Sequence, residues 1–181
     1  MGTVLNPRGR RWMFEALYII GIVVAFTTFI ALVQLWQTRG LPEGPAPALA
    51  GTGLDGRPFS LEETLRAAGG RPVLIAFWAT WCELCKVEDG SLEAIASDWP
   101  LLSVAIQSGE PDTVARHLRD RNRDFPAIAD TDGQIAEDWK IRGVPTHFIV
   151  DTRGNVRFRL VGFATEWGLR ARLWWAGRFP D

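Results

Sequence analysis

The chain is poor in cysteine and histidine, with two of each among its 181 residues. That scarcity excludes a disulfide-stapled fold. It also argues against a structural zinc site, which needs four ligands, because His117 and His147 are not spaced as a ligand pair. The net charge is −1, so no field for a polyanion is present and nucleic acid is not an expected partner. No internal repeat is visible. The Arg119–Arg123 cluster is interleaved with Asp120 and Asp124 and reads as a solvated surface.

Charge is also missing from one long segment. No charged residue occurs from Ala16 to Thr38, where ALYIIGIVVAFTTFIALVQLW is long enough to span about 30 Å of hydrocarbon. Trp12, Tyr18 and Trp36 lie near its ends, as aromatic rings do at a membrane interface. Arg8, Arg10 and Arg11 precede it, and residues 1–40 carry +3 against −4 for the rest. The positive-inside rule then places residues 1–13 in the cytoplasm, a transmembrane anchor at 14–38, and the body outside. The run exceeds the 7–15 residues or so of a signal peptide's apolar region. Leu32–Trp36 offers no small-x-small cleavage site either, so a retained anchor is expected over a cleaved leader.

Residues 40–53 are rich in Gly, Pro and Ala, and a linker is expected over 39–47 with the folded domain at 48–181. Asp55-Gly56 predicts a hairpin with strands at 48–52 and 57–60. Ser60-Leu61-Glu62-Glu63 has capping-box spacing and opens a helix to about Ala68. PVLIAFWA, 72–79, is a continuous apolar run and reads as a strand covered on both faces. Further strands are expected at 101–106, 146–150 and 155–161. Helices are expected at 83–98, 110–121, 132–140 and 165–176, the last offering Trp167, Leu169, Leu173 and Trp174 for packing. This alternation indicates an α/β fold with a central mixed sheet flanked by helices.

The two cysteines form Cys82-Glu83-Leu84-Cys85. A metal site, a structural disulfide closing a very small loop, two inert core thiols and a redox pair are the competing readings. The context favours the redox pair, because a buried strand delivers Cys82 to a helix N-terminus. Free N–H groups and the helix dipole there stabilise a thiolate. Cys82 is therefore expected to attack, and Cys85, one turn further in, to resolve the mixed disulfide.

In the following helix, Leu84, Leu92, Ile95 and Trp99 share a stripe with Glu88 in its middle. Lys86, Asp89, Glu93 and Ser97 are expected on the solvated face. Glu88 stands three residues after Cys85, within reach of its proton. The competing reading is a Glu that extends to solvent. Trp78 and Trp81 flank the pair as a docking rim, although Trp78 reads equally as core. His147 is expected to be a packed or surface histidine, and His117 to lie on a solvated helix face. Val144-Pro145-Thr146, by pattern alone, is an ordinary turn at a strand start.

Together Phe77-Trp78-Ala79-Thr80-Trp81-Cys82-Glu83-Leu84-Cys85 and Gly143-Val144-Pro145-Thr146 resemble the thioredoxin superfamily. The likeness runs over about residues 48–176 and is greatest to its membrane-anchored, extracytoplasmic branch of the TlpA, ResA and DsbE types. It implies a thioredoxin-like fold with an added N-terminal hairpin. Cys82 would be the exposed nucleophile and Cys85 the resolving thiol. Pro145 would be a cis-proline opposite them, and Glu88 the glutamate of this branch. Trp81, Glu83, Leu84, Val144, Pro145 and Thr146 would dock the substrate.

Glu166-Trp167-Gly168-Leu169-Arg170 resembles the copper-sensitivity-suppressor (ScsD-like) subgroup. The chain departs from thioredoxins proper in having Ala76 where they carry a buried Asp, Leu84 where proline is common, and Gly90 at a helix-kinking proline. The resemblance implies a protein-disulfide oxidoreductase without cofactor or metal, held in the bacterial inner membrane with its catalytic domain in the periplasm. It would reduce disulfides of client proteins in cytochrome c maturation or in copper and oxidative stress protection. A membrane dithiol reductase would return it to the reduced state. Two rivals are a copper-binding module on the same fold, which normally has three residues between the cysteines, and a thiol peroxidase, whose Pro-x-x-x-Thr-x-x-Cys context is missing.

Overall fold

Alternating side chains along one strand set the layout of the body. In β4 (Val73–Trp78) every residue is buried. Leu74, Ala76 and Trp78 face one hydrophobic core, while Val73, Ile75 and Phe77 face another. A strand covered on both sides needs helices on both sides, and the chain supplies them. The structure, a computed structural model, describes residues 7–179. The described residues form two compact units, divided between Arg39 and Gly40.

The first unit is α1 (Pro7–Gln37). Phe14–Gln37 is long and apolar enough to cross a membrane. Within it, the Thr27 hydroxyl donates to the Val23 carbonyl at 2.9 Å, so this polar group is satisfied inside the helix. Residues 1–6 of the expected cytoplasmic segment lie outside the described residues.

The second unit has strands β1 (Gly44–Pro45), β2 (Ala50–Thr52), β3 (Pro58–Ser60), β4, β5 (Leu101–Ile106), β6 (Ala127–Asp130), β7 (Thr146–Val150) and β8 (Asn155–Val161). Its helices are α2 (Leu61–Ala67), α3 (Glu83–Ala96), α4 (Pro111–Asp120), α5 (Gln134–Asp138) and α6 (Glu166–Arg178). Six strands form a mixed sheet in the order β1-β8-β7-β4-β5-β6. β4, β5 and β6 run parallel, and β7 and β8 are antiparallel. β2 and β3 make the expected separate hairpin around Asp55-Gly56, with Gly56 at φ +78°. Helices α3, α4 and α6 pack on one face of the sheet, and α2 and α5 on the other.

The Ser60 cap forms as expected, its hydroxyl accepting the Glu63 N–H at 3.2 Å. Several expectations need correction. The linker over 39–47 is already part of the fold, since Leu41 is buried and β1 pairs with β8. β6 carries no sequence signal, because four residues after Pro126 are too few to show a period. α5 is shorter than expected. Gly133 at φ +78° delays its start, and the Asp130 carboxylate accepts the N–H groups of Ile135 and Ala136. In α6, Leu169, Leu173 and Ala176 are buried, whereas Trp167 and Trp174 are exposed.

Candidate active site

β4 ends where the parallel strands point toward α3, and the turn between them carries the cysteines. Thr80 N–H donates to the Ser108 hydroxyl at 3.0 Å, and that hydroxyl donates to the Ile106 carbonyl at 2.9 Å. The turn is thereby fixed to the end of β5. Cys82 is the N-cap of α3, with extended backbone at φ −87°, ψ 108°. Its sulfur accepts the Cys85 N–H at 3.1 Å, and its carbonyl accepts the Lys86 N–H at 3.2 Å. Cys82 and Cys85 are joined as a disulfide, with Cα atoms 5.3 Å apart. A backbone donor thus points at the sulfur that would hold the charge after reduction.

The Val144–Pro145 bond is cis. The Val144 carbonyl lies 3.8 Å from the Cys82 sulfur. The Pro145 carbonyl accepts the Gly162 N–H at 2.8 Å, which ties this loop to the end of β8. Cys82 keeps 8% of its surface exposed and Cys85 5%, so the exposed nucleophile expected at Cys82 is largely covered. In the disulfide form its side chain lies against the proline loop. Thr146, expected as a docking residue, is 1% exposed, and its hydroxyl donates to the Gly143 carbonyl at 2.8 Å. Pro145 is buried, while Val144 is half-buried.

Trp81 and Leu84 present apolar surface beside the disulfide. Trp81 is 60% exposed and donates its indole N–H to the Gln107 carbonyl at 3.2 Å. Leu84 leaves the apolar stripe expected for it and is exposed. A cleft of about 350 Å³ lies against Trp81, lined also by Gln107, Gly143 and Val144 among others. Glu83 is exposed and pairs with Lys86 at 2.6 Å; that hydrogen bond, and then the Lys86 charge, lower the Glu83 pKa. Trp78 is core, donating to the Ser103 hydroxyl at 3.1 Å.

Glu88 faces the sheet and is 1% exposed, so it does not extend to solvent. Its Oε1 lies 2.7 Å from Nε2 of His147, which is equally buried. His147 pairs in register with Ala76 of β4 and with Leu160 of β8. It is packed, as expected, but packed onto a candidate site residue. Strand alternation gives the face of His147 and the helical stripe gives the face of Glu88. Only the tertiary register brings the two together.

Asp89 is likewise not on a solvated face. Its carboxylate accepts from Arg121 and, at 2.9 Å, from Arg123. The basic cluster therefore clasps α3, and Arg121 also donates to the Lys86 carbonyl at 2.6 Å. His117 is half-buried against the Trp78 ring, with centroids 5.9 Å apart. Burial first, then the charges of Arg121 and Lys86, lower its pKa.

Comparison with known proteins adds the following. The model of the AhpC/TSA family matches residues 42–159. A thioredoxin-like protein of Haemophilus influenzae is 30% identical over 157 residues, covering 85% of this chain and 92% of that one. The thiol:disulfide interchange protein DsbE of Escherichia coli K12 is 28% identical over 159 residues, covering 80% and 83%. Among solved structures, a thiol:disulfide interchange protein of the thioredoxin family from Chlorobium tepidum superposes with a TM-score of 0.64 at 23% identity. It covers 75% of this chain and 97% of its own. That likeness shows a thioredoxin-like fold.

Proposed function

Because this chain belongs to the AhpC/TSA family, with thiol:disulfide interchange proteins among its relatives, we propose that it exchanges disulfides with client proteins through Cys82 and Cys85. The supporting observation is the Cys82 sulfur at the N-cap of α3, accepting the Cys85 N–H beside the Val144 carbonyl.

In the reducing direction, the Cys82 thiolate attacks a client disulfide, and one client sulfur leaves as a thiolate. The Cys85 sulfur, after losing its proton, attacks Cys82. The second client sulfur departs, and Cys82–Cys85 is left as the disulfide found in the structure. Two electrons pass to the client. A membrane reductase that carries its own dithiol returns them. Backbone donors at the helix start stabilise the charge on Cys82 at the moment of attack. The open cleft lined by Trp81 and Val144, whose carbonyl lies 3.8 Å from the Cys82 sulfur, receives an extended client segment.

α1 serves as the anchor, with residues 14–38 in the bacterial inner membrane and the body on the periplasmic side. The uncharged run and the three preceding arginines support this placement. Replacing Cys85 with Ser tests the exchange reading. The variant is expected to accumulate client proteins as mixed disulfides on Cys82. If none form in an oxidising periplasm, exchange through this pair is wrong.

A further inference from the structure

β7 carries one ionisable side chain, His147, and the exchange chemistry just described gives it no role. It is as buried as Glu88, at 1% exposure. Glu88 Oε1 and His147 Nε2 are 2.7 Å apart, close enough for the imidazole and the carboxylate to interact directly. Glu88 Oε1, Glu88 Oε2 and His147 Nδ1 are buried, and none of them makes an aligned hydrogen bond. Both residues line a small cavity with Cys85, Trp78, Leu92, Phe125 and Pro145. Its free volume of about 10 Å³ is the size of a single water. An isolated carboxylate in such an apolar wall stays neutral and cannot accept a proton.

We propose that His147 is a positioning residue for exchange: across its 2.7 Å contact with Glu88 Oε1, the imidazole stabilises the Glu88 carboxylate and keeps it an anion able to take the proton of Cys85. This rests on the exchange reading above. The step balances simply. The Cys85 S–H bond breaks and its proton passes to Glu88 Oε2, directly or through one water. The Cys85 thiolate then displaces the client sulfur from Cys82. The buried pair goes from one negative charge to none, so the proton is accepted without creating a buried positive charge. When the disulfide is reduced again, the pair returns the proton to Cys85.

Few other charged groups face this pair. From α3, Cys85 and Asp89 face the cavity, and Asp89 is neutralised by Arg121 and Arg123. β4 contributes Ala76 and Trp78, β8 contributes Leu160, and α6 contributes Leu169 and Leu173, none of them charged. On β5, the Ser103 hydroxyl is committed to the Pro126 carbonyl at 2.7 Å. His117 lies against the Trp78 ring.

The test uses the reduced full chain in detergent, with glutathione disulfide as the probe, and separates attack by Cys82 from resolution by Cys85 across pH 5 to 9. His147→Leu is expected to leave attack unchanged and to slow resolution about 10- to 100-fold near neutral pH. The loss should not add to that of Glu88→Gln in the double variant. His147→Gln keeps an N–H donor but no second nitrogen. It should recover much of the rate and keep the wild-type pH profile, whereas Glu88→Gln should change that profile. Resolution at the wild-type rate in His147→Leu, full additivity with Glu88→Gln, or a His147→Gln variant as slow as Glu88→Gln would each overturn the proposal. If His147→Leu does not fold, the rate and profile of His147→Gln decide. Failure of the wild-type protein to attack the probe would instead count against the exchange reading.

Discussion

Cys82 and Cys85 share a chemistry but occupy different surroundings. The first caps a helix beside an open cleft, and the second lies one turn deeper over a buried acid. Cys82→Ser is therefore expected to abolish exchange outright, whereas Cys85→Ser should still form the first mixed disulfide and stop there. Non-reducing electrophoresis after incubation with a disulfide-bearing protein distinguishes the two. His117 gives a second prediction at this scale. Its folded pKa lies below the ordinary 6.5, so the unfolded chain binds more protons in that region. Stability should fall as pH drops from about 6.5 through the lower folded value. His117→Gln should flatten that part of the curve, as read from urea midpoints at several pH values between 5 and 7.5. An equal pH slope in the variant would show that the ring's burial against Trp78 has no such cost.

The roles of single residues were legible only where local pattern suffices. The cysteine spacing and the helix stripe mark Cys82, Cys85 and Glu88. They do not mark His147, because its importance comes from the pairing of β7 with β4. Asp89 was misplaced for a related reason. Helical periodicity puts it opposite the core, but Arg121 and Arg123 arrive from a distant turn and cover it.

At the scale of elements, α3 is fixed at three places. Its start is tied to β5 through Ser108, its inner face is buried through Leu92 and Ile95, and its flank is held by the arginine clasp on Asp89. Leu92 is 3% exposed, so Leu92→Ala should cost about 2–5 kcal/mol in urea unfolding. Asp89→Ala leaves two partly covered guanidinium groups without their acceptor and should cost about 1–3 kcal/mol. A cost near zero would mean that both arginines find water as readily as the carboxylate. The Ser60 cap on α2 was readable from four residues, and so was the Asp55-Gly56 turn. β6 and the short α5 were not, because β6 has no period of its own and α5 begins at a left-handed Gly133 under the Asp130 cap.

On the whole-molecule scale, the chain divides into an apolar helix and a folded unit with its own two cores. The alternation of strands and helices was enough to give the class of fold. The beginning of the folded unit was not, because a Gly- and Pro-rich stretch looks like a linker whether or not a strand such as β8 is there to pair with it. Leu41 and Leu49 are buried in the folded unit, so a body starting at residue 40 should fold without α1. Such a protein is expected to remain in the aqueous fraction and keep its exchange rate with glutathione disulfide. The full chain should partition with membranes. Loss of exchange in the shortened protein would mean that α1 contributes to the chemistry as well as to location.

The most direct measurement is the pH dependence of alkylation of the two thiols in the reduced protein, with each modified cysteine identified by peptide mass. Cys82 should react first and remain reactive at pH values where an ordinary thiol is protonated, while Cys85 stays protected. Preferential modification of Cys85, or a Cys82 that reacts only as fast as a free thiol, would contradict a nucleophile activated by the N-terminus of α3.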